Sequence, residues 1–566
     1  KIESPQNNFQ VVFINMANNS YRTVYAFARE MYPKTVKTDI QYGTAGFRTR
    51  AVDLEYVMYR MGLLAVLRAR YKKAVIGVMI TASHNPEPDN GVKLVDPHGE
   101  MLEQSWEAWA TKFANVADNK LEDTINELIK EYNITNMNDR VEILVGKDTR
   151  PSSPHLAKSV VDGVLALSGK PIDFGIVTTP QLHYFVKCRN TRGAYGLPTE
   201  DGYYKKLTTA FKNIRGSNFT NGNYTNRVIY DGANGVGAKK VKFLKEALQG
   251  SLIIDMYNDE IIGSGKLNYL CGADFVKSQQ KFPTGLPVES NARCCSVDGD
   301  ADRIVYYYLD ENNKFHLMDG DRIATLVAGY LQEIVQQTGI DLNMGLVQTA
   351  YANGASTEYI TEKLKVPVAC VSTGVKHLHH KALTFDIGVY FEANGHGTVI
   401  FSQETKNKLK EAAKNNSYSE EQRKAIEKLQ ILIDVINETV GDAISDMLLV
   451  ETILHAKGWN VTDWEACYTD LPNRLMKVTV KDRRVIKTKD AERICVTPEG
   501  LQKEINTLVS KYSRGRAFVR PSGTEDIVRI YAEASTRKET DKLAAEVALK
   551  VFELAGGTGN APEIPQ

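Results

Sequence analysis

Four apolar, β-branched runs, each ending in a polar loop that contains glycine, constrain the fold of this 566-residue chain most strongly. The runs and their loops are residues 74–80 with 81–86, 292–297 with 298–303, 387–391 with 392–397, and 517–519 with 520–525. Stretches of helical period lie between them, and this alternation indicates an α/β fold. Ligands of open α/β sheets bind beyond the carboxyl ends of the strands, so we expect the four loops to contribute to one site.

The length of the chain predicts several domains, because a typical domain has about 150 residues. Polar or glycine-bearing stretches favour boundaries near residues 220, 320 and 465. We therefore predict four domains, each carrying one of the four loops. They are 1–220 with the serine loop, 221–320 with the acidic loop, 321–465 with the loop at 392–397, and 466–566 with the loop at 520–525.

Charge and cysteine usage exclude several classes of protein. The 70 Lys and Arg residues balance the 69 Asp and Glu residues, which leaves no sequence-wide attraction to nucleic acid or to an anionic membrane. The seven cysteines form no C-x-x-C pair, so neither a disulfide framework nor a cysteine-ligated zinc site is indicated. Residues 1–8 lack an apolar signal region, and no apolar run reaches the roughly 18 residues of a membrane span. We expect a cytoplasmic protein.

The acidic loop predicts a metal site. Asp298, Asp300 and Asp302 alternate with other residues, and in an extended segment every second side chain projects to the same side. Three converging carboxylates require a cation, and their oxygens favour Mg²⁺, Mn²⁺ or Ca²⁺. The register excludes an EF-hand, because Arg303 and Leu309 stand where Gly and Glu are needed. A solvated acidic turn is the alternative.

The serine loop predicts a nucleophile. Ser83 follows an apolar run directly and stands beside His84, before a turn at Asn85 and Pro86 that we expect to expose the hydroxyl. The alternative is a serine that only caps a turn or a helix. Lys93 follows ten residues later and suits phosphate binding or proton transfer, although it could be a surface lysine.

The remaining loops suit anion and hydroxyl recognition. Residues 520–525, together with Arg529, combine guanidinium groups, hydroxyls and glycine-freed N–H groups, which suits a phosphate; a plain turn is the alternative. Residues 392–397 offer a carboxylate, an amide and an imidazole for sugar hydroxyls, although a capped turn would also explain them. The arginine-bearing loops at 43–48 and 145–151 are expected to add to a basic lining.

In their order along the chain, the four motifs resemble those of the α-D-phosphohexomutases, and the resemblance covers essentially the whole sequence. The Glu-Ala-Asn-Gly-His-Gly loop at 392–397 looks like the phosphoacetylglucosamine mutase branch, since phosphoglucomutases and phosphomannomutases usually carry a Gly-Glu-x-Ser loop there. The Gly-Lys-Asp-Thr-Arg segment at 146–150 follows the serine loop, as in the same branch. The resemblance implies an isomerase with three α/β domains of mixed sheets and a smaller C-terminal α+β domain around a central cleft.

The resemblance also implies roles for individual residues. Ser83 would carry a phosphoryl group and, with Asp298, Asp300 and Asp302, bind one Mg²⁺ per active site. The enzyme would interconvert N-acetylglucosamine 6-phosphate and 1-phosphate through a sugar 1,6-bisphosphate, supplying UDP-GlcNAc synthesis. Lys93 and His84 would be catalytic, with Lys93 the first candidate for proton transfer. The implied substrate-binding residues are Arg303, Lys376, Glu392, Ala393, Asn394, Arg520, Pro521, Ser522, Gly523, Thr524 and Arg529.

Three alternative functions stay open at the level of sequence. The chain could be a phosphoglucomutase or phosphomannomutase, because nothing in residues 392–397 demonstrates a contact with an acetamido group. It could also be a metal-dependent sugar phosphatase, since water could replace the sugar hydroxyl. A sugar-phosphate-binding regulator is the non-enzyme alternative, but it predicts a damaged serine or acidic loop. In each case the partner is a small sugar phosphate.

Overall fold

The structure, a computed structural model, describes residues 30–43, 46–260, 263–522 and 525–565. The chain forms two compact units. The first contains the described residues up to Thr220 together with Thr225–Leu317 and Asp434–His455, and the second contains Asn221–Tyr224, Met318–Ile433 and the described residues from Ala456 onwards. The domain boundaries near residues 220, 320 and 465 stay predictions.

The first sheet of the first unit is mixed and has five strands. The strands are β1 Phe47–Arg50, β2 Ile76–Ile80, β3 Asp89–Val95, β4 Glu142–Lys147 and β5 Lys170–Ile176. Their order is β1-β3-β2-β4-β5, with β2, β4 and β5 parallel and β3 antiparallel to both neighbours. The helices of this region are α1 Glu55–Lys72, α2 Gln104–Asn115, α3 Leu121–Glu131, α4 Ser153–Ala166, α5 Thr179–Asn190 and α6 Glu200–Arg215. Helix α1 is apolar around most of its circumference and is buried accordingly.

The second sheet repeats this arrangement of parallel strands with an antiparallel neighbour. Its strands are β6 Arg227–Asp231, β7 Ile253–Tyr257, β8 Cys294–Val297, β9 Ile304–Leu309 and β10 Phe315–Met318, with helices α7 Val236–Leu248 and α8 Gly272–Gln279. The order is β10-β9-β8-β6-β7. Strands β8, β6 and β7 are parallel, and β9 is antiparallel to β8.

The third sheet belongs to the second unit. Its strands are β11 Met344–Thr349, β12 Val368–Val371, β13 Ile387–Phe391 and β14 Gly397–Phe401, in the order β12-β11-β13-β14. Only β14 is antiparallel to its neighbour. The helices between residues 320 and 465 are α9 Gly320–Thr338, α10 Gly354–Glu358, α11 Val375–Ala382, α12 Gln403–Ala412, α13 Glu420–Val435, α14 Ala443–Lys457 and α15 Val461–Glu465, of which α14 lies mostly in the first unit.

The C-terminal part of the second unit is smaller and antiparallel. Its strands are β15 Asn473–Thr479, β16 Lys487–Lys489, β17 Ile494–Thr497, β18 Arg516–Pro521 and β19 Ile527–Glu533, and its helices are α16 Leu501–Val509 and α17 Arg537–Leu554. Strands β15, β19 and β18 form one sheet, and β16 pairs with β17. Alternate residues such as Val478, Val528 and Val519 pack in a core with the two helices. The opposite face carries Lys477, Arg529 and Arg520, which alternate with these core residues and pair in register.

All four predicted loops are the tips of antiparallel strand pairs. They connect β2 to β3, β8 to β9, β13 to β14, and β18 to β19. In the first three cases the strand before the loop is also parallel to a second neighbour, so its carboxyl end is where an α/β sheet binds ligands. The prediction of three mixed α/β sheets and a smaller α+β region is confirmed. No helix in the described ranges combines the length and apolar character that crossing a membrane requires.

Candidate active site

Ser83 follows β2 in a left-handed backbone conformation, with φ at 52°. Residues with a side chain adopt this conformation only when their surroundings impose it, and they concentrate at functional sites. The side chain is fully buried, and Oγ donates a hydrogen bond of 2.6 Å to Asp298 Oδ2. The expectation that the loop exposes this hydroxyl is wrong, because the turn directs it into the acidic loop instead.

Arg150 holds the backbone of the serine loop. Its guanidinium donates hydrogen bonds of 2.6–3.1 Å to the carbonyl oxygens of Ser83, Asn85, Pro86 and Asp89. The side chain is buried, and its Nε forms an ion pair with Asp148 at 2.9 Å, which balances its charge. The expectation that the loop at 145–151 adds to a basic lining is therefore wrong for this arginine, which braces the nucleophile loop.

Two further contacts connect the serine loop to the second sheet. Asn268 Nδ2 donates to the Ser83 carbonyl at 3.0 Å. A Cβ atom on Gly299, in the acidic loop, would lie 2.5 Å from the same carbonyl oxygen. Only glycine allows this close approach, so Gly299 is what lets the serine and acidic loops meet.

The acidic loop brings its three carboxylates together by a turn. Ala301 has a φ of 57°, and its N–H donates to the Asp298 carbonyl at 3.1 Å. Asp298 Oδ1 accepts a hydrogen bond of 3.1 Å from the Asp302 N–H. One oxygen from each of Asp298, Asp300 and Asp302 lies within 4.8 Å of the others. The predicted convergence is present, but a turn produces it rather than strand alternation.

The donor set of this cluster fits a hard divalent cation. All three aspartates are buried, and Asp300 Oδ1 has no hydrogen-bond partner among the residues that the structure describes. Burial, and then the charges of Asp302 and Asp300, raise the pKa of Asp298 well above its usual value. Lys93 Nζ lies 2.9 Å from Asp300 and 3.1 Å from Asp302 and supplies one balancing charge. A second cation would relieve the remaining repulsion.

The other predicted residues of this site surround the cluster. Arg303 Nε lies 3.8 Å from Asp298 Oδ2. Burial, and then the charges of Arg303 and Arg48, lower the pKa of His84 to about 3, so its imidazole is neutral. Sequence reasoning missed Thr179, whose hydroxyl donates to Asp300 at 2.6 Å. The residues around Thr179 indicate only the start of a helix, with a threonine cap and a proline in the first turn.

In the second unit, residues 392–396 form a closed turn between β13 and β14. The Glu392 N–H donates to the His396 carbonyl at 2.8 Å, and the Gly395 N–H donates to the Glu392 carbonyl at 2.9 Å. Asn394 Oδ1 accepts from the His396 N–H at 3.0 Å. The predicted sugar-binding residues Glu392, Ala393 and Asn394 are thus fixed by the turn and remain half-buried at its tip.

The amino-terminal turn of helix α9 packs directly on this loop. The Gly320 N–H donates to the Ala393 carbonyl at 3.3 Å. A Cβ atom on Gly320 would lie 1.8 Å from the Glu392 carbonyl oxygen, which excludes every other residue type in this geometry. The sequence predicted a domain boundary near residue 320 but gave no sign that Gly320 supports the loop.

The predicted phosphate-binding arginines lie side by side on adjacent strands of the C-terminal sheet. Arg520 on β18 pairs in register with Arg529 on β19, which pairs with Lys477 on β15. Like charges opposite one another destabilise a sheet, so a row of three cations is suited to binding an anion. Lys477 and Arg529 line a cavity of about 450 Å³ beside Tyr351.

The other predicted substrate-binding residues of the second unit lie near this row of cations or outside the described residues. Pro521 ends β18, and the Ser522 N–H donates to the Ile527 carbonyl at 2.8 Å. Gly523 and Thr524 lie outside the described residues. Lys376 lies in the first turn of α11. Sequence reasoning missed Tyr351, Glu492 and Lys477, which come from segments without a motif.

Family models match most of the chain, between residues 52 and 550. Residues 194–305 and 319–459 match domains II and III of phosphoacetylglucosamine mutase AMG1. Residues 52–121 and 115–196 match the alpha/beta/alpha domain I of phosphoglucomutase/phosphomannomutase, and residues 475–550 match the C-terminal domain of that group.

Individual members of the same family match the chain over nearly their whole length. The human phosphoacetylglucosamine mutase is 56% identical over 524 residues, which are 93% of this chain and 96% of the relative. The chain belongs to the phosphoacetylglucosamine mutase family. The family member from Candida albicans is 46% identical over 91% of this chain and 97% of its own. The enzyme is therefore an isomerase of the phosphohexomutase superfamily with a four-domain α/β architecture.

Solved structures of the family have the same fold. The N-acetylphosphoglucosamine mutase of Aspergillus fumigatus, in complex with GlcNAc-6P and magnesium, superposes with a TM-score of 0.90 at 49% identity, covering 95% of this chain and 100% of that one. Another structure of the Aspergillus enzyme, in complex with glucose 1,6-bisphosphate, has a TM-score of 0.88 at 48% identity and covers the same shares.

Proposed function

We propose that this protein interconverts N-acetylglucosamine 6-phosphate and N-acetylglucosamine 1-phosphate through a phosphoserine enzyme and a sugar 1,6-bisphosphate. The observation that carries the proposal is the contact of Ser83 Oγ with Asp298, at 2.6 Å, inside a buried cluster of three aspartates. A serine in that position can accept, keep and return a phosphoryl group beside a bound cation. The named mutases that the chain matches support the choice of sugar.

Asp298, Asp300 and Asp302 would hold one Mg²⁺ together with an oxygen of the phosphate on Ser83. Bound magnesium would neutralise negative charge on the transferring phosphoryl group. The unpartnered oxygen of Asp300 and the repulsion among the buried aspartates support this assignment. The magnesium in the Aspergillus complex supports it independently.

The reaction consists of two phosphoryl transfers in opposite directions. In the first, the bond between Ser83 Oγ and phosphorus breaks while a bond forms between phosphorus and O1 of the 6-phosphate. O1 loses its proton, and Oγ gains one. In the second, the bond between O6 and phosphorus of the resulting 1,6-bisphosphate breaks while a bond forms between that phosphorus and Ser83 Oγ, so Oγ loses its proton and O6 gains one. N-acetylglucosamine 1-phosphate leaves, and no phosphate passes to water.

Lys93 is our candidate for the group that moves these protons, with a role in general acid and base catalysis. Its ammonium contacts Asp300 and Asp302, and the buried position places it at the acidic loop. His84 is neutral and half-buried beside Ser83, so we assign it to orienting the phosphoryl group. Arg303 would contact the same group as a cation.

The second unit would bind the parts of the substrate that do not react. In this proposal Glu392, Ala393 and Asn394 bind the sugar hydroxyls, and Lys376 contacts the same substrate. The non-reacting phosphate would bind to the C-terminal loop, through Arg520, Pro521, Ser522, Gly523, Thr524 and Arg529. The row of cations across β18, β19 and β15 supports this second assignment.

A comparison of kcat/KM for N-acetylglucosamine 6-phosphate and glucose 6-phosphate tests the choice of sugar. We expect a preference of at least about tenfold for the acetylated sugar, the effect of roughly one good contact. An equal or higher kcat/KM for glucose 6-phosphate would mean a phosphohexomutase with broad sugar specificity. Release of inorganic phosphate as the main product would mean a phosphatase.

We also assign the enzyme to the cytoplasm. All seven cysteines are free, as expected in a reducing compartment. The sugar 1-phosphate product suits a following reaction that attaches a nucleotide, which is the step toward UDP-GlcNAc.

A further inference from the structure

Glu492 joins three segments of the second unit at the proposed phosphate site. It lies in the turn between β16 and β17. Its Oε1 accepts a hydrogen bond of 3.0 Å from Arg520 Nη1. Its Oε2 accepts from both the N–H and the hydroxyl of Thr373, in the loop before helix α11. One carboxylate therefore connects the hairpin, the end of β18 and the segment that leads to Lys376.

The turn that carries this carboxylate is strained. Asp490, Ala491 and Glu492 have φ values of 53°, 54° and 67°, so three successive residues with side chains are left-handed. Such residues cost conformational energy and persist where the surrounding structure holds them. In this turn the contacts of the Glu492 carboxylate with Arg520 and Thr373 contribute that support.

Arg520 is held on two sides and presents its remaining donors. A guanidinium has five N–H groups. Nε donates to the Tyr351 hydroxyl at 3.1 Å and Nη1 donates to Glu492, while Nη2 has no acceptor among the described residues. The side chain is mostly buried, with 18% of it exposed. Arg529 lies directly opposite in register and has no ion pair within the described ranges.

We propose that Glu492 is a positioning residue for phosphate recognition. It holds Arg520, together with the loop at Thr373, in the arrangement that receives the non-reacting phosphate of the substrate. The inference rests on the proposed function, which assigns that phosphate to Arg520. Fixing a long side chain before binding removes an entropy cost that the ligand would otherwise offset. A carboxylate that instead competed with phosphate for Arg520 would have the opposite effect on KM.

Steady-state kinetics of Glu492→Ala tests the role. We expect KM for N-acetylglucosamine 6-phosphate to rise about tenfold, which is the effect of one charge-assisted hydrogen bond. We expect kcat to change by less than about threefold, because this phosphate is bound equally in the ground and transition states. Glu492→Gln keeps an oxygen for Arg520 and should recover part of the loss. Lys489→Ala, an exposed change on β16, is the matched control.

A double-mutant cycle shows whether Glu492 acts through Arg520. We expect Arg520→Ala to raise KM, and Glu492→Ala to add less than about twofold in that background. If the two substitutions raised KM additively, or if KM in Glu492→Ala were unchanged or lower, the positioning role of Glu492 would be overturned. The assignment of the phosphate to Arg520 would stand. An unchanged KM in Arg520→Ala would overturn the assigned phosphate site and this inference with it. Thermal melting monitors folding, and if Glu492→Ala does not fold, Glu492→Gln and Thr373→Val decide by the same KM criterion.

Discussion

Ser83 reaches Asp298 because a left-handed backbone turns its side chain inward at the end of β2. The sequence predicted this serine as a nucleophile from its place at the end of an apolar run. It did not predict the buried orientation, because a φ value near 50° in a residue other than glycine is imposed by long-range contacts. The contacts of Arg150 and Asn268 with the Ser83 carbonyl are of that kind.

Ser83→Ala removes the acceptor of the phosphoryl group and should lower kcat by at least about 10³-fold. The phosphoserine resonance in a ³¹P spectrum of the purified protein should disappear. Ser278→Ala, a change of an exposed serine, is the control. A mutase activity that survives in Ser83→Ala would place the phosphoryl carrier elsewhere.

Lys93→Met keeps the length of the side chain and removes its amine. If Lys93 moves protons, kcat at saturating Mg²⁺ should fall by about 10²- to 10⁴-fold. The phosphoserine content, measured as intact mass, should fall far less. Lys170→Met replaces an exposed lysine of the same sheet and controls for the substitution. Unchanged turnover would exclude Lys93 from proton transfer.

Among the elements, the acidic loop is a case in which the predicted grouping of carboxylates is present but the predicted strand geometry is not. Asp298, Asp300 and Asp302 were predicted to converge because alternate residues of a strand share a face. The strand ends at Val297, and a turn with a left-handed Ala301 brings the carboxylates together. Spacing alone therefore indicates that the carboxylates form a group, while the close packing that permits it depends on Gly299.

The first residue of helix α9 determines the position of the sugar-binding turn. Gly320→Ala would place a methyl group 1.8 Å from the Glu392 carbonyl oxygen, so one of the two segments must move. We expect a loss of stability of about 1–3 kcal/mol and a higher KM for the sugar phosphate. Gly329→Ala in the same helix meets only the side chain of Leu364, at 3.2 Å, and is the control. Equal KM values for both variants would contradict a role for Gly320 in the site.

Helix α14 carries a buried carboxyl whose protonation makes stability depend on pH. Burial, and then the charge of Asp442, raise the pKa of Asp446 well above its usual value. Tyr203 on α6 also faces this pair. Above the unfolded pKa of about 3.9, only the folded state keeps this proton, so the contribution of Asp446 to stability falls as the pH rises.

Asp446→Asn removes that titration. We expect its melting temperature, relative to the wild type, to be higher at pH 8 than at pH 4, as measured by calorimetry. Asp201→Asn, a change of an exposed aspartate on α6, is the matched control. If the melting temperatures of Asp446→Asn and the wild type differed by the same amount at both pH values, Asp446 would be ionised in the folded protein.

At the scale of the whole molecule, much of the fold and many of the site residues could be predicted from four short motifs. The motifs identified the α/β class, the strand ends and the family, because residues that bind ligands directly are restricted in type and spacing. The supporting residues could not be predicted in this way. Arg150, Thr179, Tyr351 and Glu492 come from segments whose local sequence is that of an ordinary turn or helix start. Only the tertiary fold of each unit brings the first two to the serine and acidic loops and the last two to Arg520.

Removal of the cation tests the metal site on the intact protein. Ligand binding to the folded state adds RT ln(1 + [L]/Kd), or about 2.7 kcal/mol at a hundredfold excess over Kd. We expect Mg²⁺ to raise the melting temperature of EDTA-treated protein in a concentration-dependent way. A variant with Asp298, Asp300 and Asp302 replaced by Asn should show no such shift. A shift that persists in this variant would locate the stabilising cation at another site.

In the proposed mechanism, the phosphoryl group moves between Ser83 and the two ends of one amino sugar. A ³¹P NMR time course tests it most directly, with purified protein, Mg²⁺ and a trace of sugar 1,6-bisphosphate, and with N-acetylglucosamine 6-phosphate as substrate. We expect the 6-phosphate resonance to be replaced by that of the 1-phosphate, with no growth of inorganic phosphate. Growth of inorganic phosphate without the 1-phosphate would contradict the mutase mechanism.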